Sequence, residues 1–211
     1  MTSDATSAER RYAELLVSRS DIWAHLPRLR SEAGGTILEL GVRTGHSTAA
    51  FLSGLEQTGG KLWSVDVDPP CASLFATHPQ WRFVLADSRD ARALDDAGLP
   101  AEIDVLFVDT IHTYEQVRDE LAVWGDRVRP GGIMLFHDTD SYPAIRDAIA
   151  EWCERRRVPH EFLSGSNGLG IAYPGRGRLF LQRRAAVGWF RRLGRATRRT
   201  LRRLRPRRSL P

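Results

Sequence analysis

The run from Ile37 to Thr48, ILELGVRTGHST, joins a strand-like apolar segment to a helix-competent one through Gly41 and Gly45. Glycine puts no side chain in the way, so the backbone of such a loop can approach a ligand closely. The N–H groups and positive dipole end of the following helix are then turned toward it. This is the pattern of a nucleotide-type pocket. Glu39 lies on the strand just before the loop, and Asp66 closes the next apolar run, Leu62 to Val65. Acids at the carboxyl ends of adjacent parallel strands can accept hydrogen bonds from ribose hydroxyls.

The rest of the chain repeats this alternation. Apolar runs at Thr36 to Leu40, Lys61 to Val67, Trp81 to Ala86, Ile103 to Val108 and Gly131 to Phe136 read as strands. Helix-like stretches lie between them at His46 to Leu55, Cys71 to His78, Asp90 to Ala97 and Thr113 to Arg127, each long enough to cross back over a sheet. Alternating strands and helices imply a parallel, doubly wound α/β sheet. Ser141 to Arg156 reads as a further helix. The short runs Pro159 to Leu163 and Gly168 to Tyr173 are joined only by Ser164-Gly165-Ser166-Asn167, a link that permits an antiparallel pair and nothing else. Ahead of the first strand, Thr6 and Glu9 form a capping box for a helix to about Ser18, and Asp21-Ile22-Trp23 opens a second apolar-periodic stretch.

With 211 residues and a 42% apolar fraction the chain suits one α/β domain with appendages. Three segments follow: a helical cap over 1–33, the sheet domain over 34–174 and a basic tail over 175–211. The net charge of +5 conceals a division, because Arg183 to Pro211 holds twelve arginines and no acid, leaving 19 basic against 26 acidic groups before it. Cys71 and Cys153 are far apart and outside any metal-like spacing, so both are expected to be reduced packing residues in a cytoplasmic protein. The polar start Met1 to Ser7 and the lack of any long apolar run argue against secretion and against a membrane span.

A parallel sheet that ends in an antiparallel hairpin and carries its glycine loop after the first strand resembles the class I S-adenosylmethionine-dependent methyltransferases. The resemblance covers roughly 34–174 and rests on ELGVRTG, SVDVDP, LADS, the DTIH segment and PGGIMLFHD. Arg43 replaces the central glycine of the commonest loop form, leaving a Gly41-x-x-x-Gly45 spacing similar to the catechol-type and macrolide-sugar O-methyltransferase branches. The same departure argues against a dehydrogenase fingerprint. The fold it implies is a seven-stranded Rossmann-like methyltransferase sheet. Its implied cofactor-binding residues are Glu39, Gly41 and Gly45 for the methionine and ribose part, Asp66 for the ribose hydroxyls, and Asp87 with Ser88 for the adenine edge. Asp66 and Asp87 could instead cap the helices that follow them.

The fourth and fifth strands end in Val108-Asp109-Thr110-Ile111-His112 and Phe136-His137-Asp138. Neighbouring strands lie about 5 Å apart, so Asp109 and Asp138 can converge on one cation. Two carboxylates, with His137 and waters, suit Mg²⁺ better than zinc. His137 could equally be a supporting partner of that site or a buried structural histidine. In the branches this segment resembles, a magnesium site occupies these strand ends and the general base lies three residues after the first metal-binding acid, which here is His112. Asp109 as a helix cap and His112 as partner of a loop carbonyl are the plainer alternatives. A hydroxyl becomes a good nucleophile only on losing its proton, which a cation favours and an imidazole can accept near neutral pH.

The expectation is therefore an S-adenosylmethionine-dependent transfer of methyl to a hydroxyl of a small-molecule acceptor, a sugar or other natural product, assisted by a divalent metal. The competing readings are a metal-independent methyltransferase and a non-catalytic adaptor of the same fold. Asp68-Pro69-Pro70 follows the second strand, not the fourth where amino-group methyltransferases carry such a loop, and reads as a turn. His46, Tyr114 and Ser166-Asn167-Gly168 read first as helix, packing and turn residues. Nothing in the sequence speaks against a homo-oligomer.

In the tail, Ala186, Phe190, Leu193, Thr197, Leu201 and Leu204 recur at steps of three and four with arginines between them, a basic amphipathic pattern. Docking on an anionic membrane surface, at the inner membrane face, is favoured over an acidic partner or a solvated tail. Nucleic acid fits less well, because the body is acidic and the tail is not interleaved with aromatics. Truncation after Gln182 is expected to abolish sedimentation with anionic liposomes while leaving methyl transfer intact; a full-length protein that ignores such liposomes at physiological salt removes the membrane role.

Overall fold

The computed structural model describes residues 7–177 and 180–181. The chain divides into two compact units, 1–176 and 177–211. The first contains every strand described. The amphipathic pattern of the tail and the capping residue Thr6 lie outside the described residues.

The first unit opens with helices α1 (Ser7–Ser18) and α2 (Leu26–Glu32). Then come β1 (Gly35–Leu40), α3 (His46–Thr58), β2 (Gly60–Asp66), β3 (Trp81–Leu85), α4 (Ala91–Asp96), β4 (Ile103–Val108), α5 (Tyr114–Trp124), β5 (Val128–His137), α6 (Pro143–Arg156), β6 (His160–Leu163) and β7 (Leu169–Ala172). The seven strands form one sheet in the order β3-β2-β1-β4-β5-β7-β6. All neighbours pair parallel except β7, which runs antiparallel to both β5 and β6. The expected Rossmann-like methyltransferase sheet with its terminal hairpin is thus the observed fold. β2 and β3 are added outward from β1 on one side, and β5 follows β4 on the other with β7 inserted between β5 and β6, so the switch in direction falls between β1 and β4. Their last residues, Leu40 and Val108, stand in register, and the crevice beyond them is where such sheets bind ligands.

Strand alternation sends side chains to two faces. Leu38, Leu40, Leu106, Val108, Met134 and Phe136 join Val117, Leu121 and Trp124 of α5 and Ile149 and Trp152 of α6 in one buried cluster. Phe107 turns the other way and meets Phe51 of α3 edge to face, ring centres 5.6 Å apart. α3 is buried from Ser47 through Leu55, and its small residues let α2 approach closely. A Cβ on Gly54 would sit 2.4 Å from the Arg30 carbonyl oxygen and 2.5 Å from Ala33 Cβ.

The Cys71 to His78 segment does not form the expected crossover helix. Pro69–Ser73 makes one short 3₁₀ turn followed by irregular turns that lead into Trp81. The N–H groups of Cys71, Leu74, His78 and Trp81 each bond the carbonyl three residues earlier, so the segment closes a series of tight turns in place of an α-helix. Likewise Asp21 to Trp23 is a turn, and helix begins only at Leu26, with Pro27 in its first turn.

Gly54→Val is expected to lower stability by about 1–3 kcal/mol through overpacking against α2. Urea unfolding should show a lower midpoint with unchanged slope, and an unchanged midpoint would mean that the α2–α3 contact is slack.

Candidate active site

The loop after β1 is shaped by backbone geometry that only some residues accept. Gly41 has φ 89°, and a Cβ there would lie 2.0 Å from the Asp109 carbonyl oxygen, so the loop crosses the end of β4 in direct contact. Gly45 has φ 73° and opens α3. Arg43, standing where the commonest loop form has glycine, also adopts a left-handed φ of 51°. Such a conformation costs an L residue roughly 1–2 kcal/mol. Its side chain is turned outward and pairs with Asp21 at 3.6 Å.

Glu39 does not line the pocket, contrary to expectation. It points to the α3 side of the sheet, fully buried, and accepts hydrogen bonds from Ser47 Oγ at 2.6 Å, Thr48 Oγ1 at 2.8 Å and Ser64 Oγ at 2.6 Å. Trp81 Nε1 donates to Ser64 Oγ in turn. The carboxyl therefore ties the first turn of α3 to β1 and β2 from beneath the loop. Burial pushes it up to about 7 despite the three hydroxyl donors.

Asp66 closes the loop from the other side. Its Oδ2 accepts from the Val42 and Arg43 N–H groups at 2.8 and 3.0 Å, and its Oδ1 accepts from the Asp68 N–H at 2.9 Å. Burial would raise this carboxyl, but the backbone donors together hold it below the ordinary aspartate value. A cavity of about 260 Å³ lies over these strand ends, lined by Gly41, Asp66, Asp87, Ser88, Asp109 and Gln116 among others, with Val65, Val67, Ala86 and Ile111 as apolar walls. Asp87 faces it while paired with Arg89, whose Nη2 is 2.7 Å away, and this guanidinium draws the carboxyl down to about 2. Apolar walls edged by acceptors suit a nucleoside.

At the ends of β4 and β5, Asp109, His137 and Asp138 bring ligand atoms within 4.8 Å of one another. Asp138 reaches this position through a left-handed φ of 61°. His137 is 2% exposed, and its Nε2 is 3.0 Å from the Ser166 carbonyl oxygen, which fixes the ring and turns Nδ1 toward the two carboxylates. His137 Nδ1 and Asp138 Oδ1 are both buried without a hydrogen-bond partner among the described residues. Orphaned buried polar atoms of this kind call for an ion or water, and one nitrogen with two carboxylates fits a hard divalent cation. His112 stands alongside, its Nε2 2.9 Å from Asp138 Oδ2 and 3.5 Å from Asp109 Oδ1. Its hydrogen bonds to Asp109 and Asp138 raise it to about 9.

The structure adds residues that the sequence does not single out. Tyr142 stacks on the His112 ring, centres 4.4 Å apart and planes 15° off parallel. Gln116 and Thr110 line the first cavity, and Asp21 lines the pocket over Asp109, His137 and Asp138. His25 Nε2 lies 2.7 Å from the Gly165 carbonyl oxygen, and the Ala24 N–H donates to Ser166 Oγ at 3.2 Å, so the turn before α2 is fastened to the β6–β7 loop. Tyr114 is a packing residue whose hydroxyl bonds Glu151. Only the nearness of Tyr142 to His137-Asp138 in the chain hints at its place; its stacking partner is set by the fold.

Residues 38–139 match a protein family described as a methyltransferase domain. Among curated protein sequences none matches. The fold is similar to a Corynebacterium glutamicum protein at 17% identity and TM-score 0.62, over 83% of this chain and 93% of that one. It is similar to the TDP-rhamnose 3'-O-methyltransferase of calicheamicin biosynthesis at 18% identity and TM-score 0.56, over 78% and 87%. A third likeness is to the mycinamycin-pathway methyltransferase MycE, in complex with Mg, S-adenosylhomocysteine and mycinamycin VI, at 16% identity and TM-score 0.59. That match covers 82% of this chain and 56% of the other. At these identities the structural likeness carries the fold, and the family match carries the class. Over residues 38–139, just under half of the chain, the match is to a methyltransferase domain, and the fold is that of the solved methyltransferases.

The raised Glu39 has a sign that can be checked. An unfolded glutamate ionises near 4.5 while the folded one holds its proton to about 7. The folded state thus binds the extra proton between these values, and this contribution, full below pH 4.5, fades as pH rises through 7. Relative to Glu39→Gln, the wild type should lose on the order of 3 kcal/mol between pH 4.5 and 7; a stability difference between the two that is flat over this range would show Glu39 to be ionised throughout.

Proposed function

We propose that the protein transfers the methyl group of S-adenosylmethionine to a hydroxyl of a small-molecule acceptor, with Asp109, His137 and Asp138 holding Mg²⁺ and His112 acting as general base. One observation carries this reading. The nucleoside-shaped cavity and the pocket over the metal-ligand cluster share Gly41, Arg43, Asp109 and Thr110 as a common wall. A methyl donor in the first therefore abuts an acceptor in the second.

Methyl transfer is an in-line displacement, in which the acceptor oxygen bonds the methyl carbon as the carbon–sulfur bond breaks, so alignment is the main requirement. The Gly41 loop and Asp66 set one end of that line, and the His112–Tyr142 stack borders the other. When bound, a divalent cation supplies positive charge that eases loss of the acceptor proton. His112 Nε2 accepts that proton. The raised His112 is caused by the free carboxylates of Asp109 and Asp138. A cation held by these carboxylates would remove that cause and leave the imidazole a base near neutral pH. Ser166 keeps His137 Nδ1 aimed inward, and the stacked Tyr142 restrains the His112 ring.

The acceptor class is supported by the likeness to the TDP-rhamnose 3'-O-methyltransferase and by the polar lining of the second pocket, with Asp21, Arg43 and Tyr142 at its edge. Incubation with labelled S-adenosylmethionine, host extract and either Mg²⁺ or EDTA should yield a labelled small-molecule product only with Mg²⁺. His112→Ala and Asp109→Asn are each expected to lower turnover roughly 10²-fold or more with the fold retained. Equal turnover in EDTA would remove the metal, and cofactor binding without any labelled product would favour a non-catalytic adaptor.

A further inference from the structure

Glu120 lies on α5, fully buried, and takes no part in the cluster of reacting groups. Three donors converge on its Oε1: Ser88 Oγ at 2.5 Å, Thr110 Oγ1 at 2.8 Å and Gln116 Nε2 at 2.8 Å. Gln116 Nε2 also donates to Ser88 Oγ at 3.0 Å. The other oxygen, Oε2, is buried with no hydrogen-bond partner among the described residues. Ser88, Thr110 and Gln116 all line the cofactor cavity.

A hydroxyl has one hydrogen to give and a side-chain amide has two. Ser88 and Thr110 each give theirs to Glu120, and Gln116 divides its pair between Glu120 and Ser88. Every side-chain hydrogen of this wall is thereby drawn into the protein. With those hydrogens committed, the side-chain oxygens that Thr110 and Gln116 have left for a ligand carry lone pairs, and Asp87 lines the same cavity beside them. The polarity is the same whether Oε2 carries a proton or not, because all three donors meet at Oε1. A residue without an acceptor at position 120 would free the hydroxyls and the amide to turn and to offer either hydrogens or lone pairs.

We infer that Glu120 is a positioning residue that sets the hydrogen-bond polarity of the nucleoside cavity, so that the site selects a 6-aminopurine and rejects a 6-oxopurine. The inference rests on the reading of this cavity as the S-adenosylmethionine site. The exocyclic amino group of adenine is a donor and meets the acceptor wall. The carbonyl of hypoxanthine at the same position would set lone pair against lone pair and leave the acceptors of the wall unpaired, a loss that discriminates between otherwise similar ligands.

Calorimetric titration of the full chain with S-adenosylhomocysteine and with its deaminated analogue S-inosylhomocysteine tests this. The wild type should bind the adenosyl compound at least tenfold more tightly. Glu120→Gln, which keeps an acceptor oxygen, should retain that ratio, whereas Glu120→Leu should narrow it to within about threefold. Where Glu120→Leu does not fold, Gln116→Met reads the same wall from the cavity side and should narrow the ratio as well. A folded Glu120→Leu with the wild-type ratio, an unchanged ratio in Gln116→Met, or equal binding of both compounds by the wild type would overturn the inference alone. Failure of the wild type to bind either compound would overturn the cofactor reading beneath it.

Discussion

The contact between Gly41 and the Asp109 carbonyl oxygen governs the arrangement of everything at the sheet edge. A Cβ at position 41 would stand 2.0 Å from that oxygen, so the loop after β1 rests directly on the end of β4. Asp109 N–H also donates to Leu40 O at 2.9 Å, and Gly41 N–H donates to Val65 O at 2.9 Å, which pins the loop from both flanking strands. Because the sheet changes direction between β1 and β4, this is where a crevice opens. The loop that borders the cavity and the acid that begins the Asp109–His137–Asp138 cluster are thus parts of one contact.

Buried acids hold this edge in shape from within. Glu39 gathers Ser47, Thr48 and Ser64 on the α3 side, and Glu120 gathers Ser88, Thr110 and Gln116 on the α5 side. Each is fully buried, each is surrounded by hydroxyl or amide donors, and burial raises both. Neither belongs to the group of reacting atoms. A buried carboxyl left without these donors would cost several kcal/mol, so each network is maintained as a unit. The left-handed backbones of Arg43 and Asp138 are further local costs accepted at the same edge, where strain tends to collect at functional sites.

Much of this was legible beforehand because strand ends in a parallel sheet announce themselves. Apolar runs that stop at Asp66, Asp87, Asp109 and His137-Asp138 give away both the fold and the rim of the crevice, since strand period and chain direction leave little freedom there. The Cys71 to His78 crossover was misread because length alone suggested a helix, whereas the segment closes successive three-residue turns. Glu39 was read as ligand-facing because an acid before a glycine loop has two faces to choose from. Its register with Ser64 on β2 and the hydroxyls of α3 set the face it takes. Glu120 carries no local signal at all, being one acid in the helical run EQVRDELAVW.

The sequence by itself determined the alternation of strands and helices with its closing hairpin, the glycine loop, the acids at the strand ends and the Asp-x-x-His spacing, because these depend on period, turn chemistry and chain direction over a few residues. Only the tertiary structure decided that Asp109, His137 and Asp138 share one ligand-sized space, that Tyr142 stacks on His112 and that Ser88, Thr110 and Gln116 turn their hydrogens inward to Glu120. Those are distances between residues far apart in the chain. They are set by strand register, helix packing and the need to pair buried polar atoms, and none of these is written in local spacing.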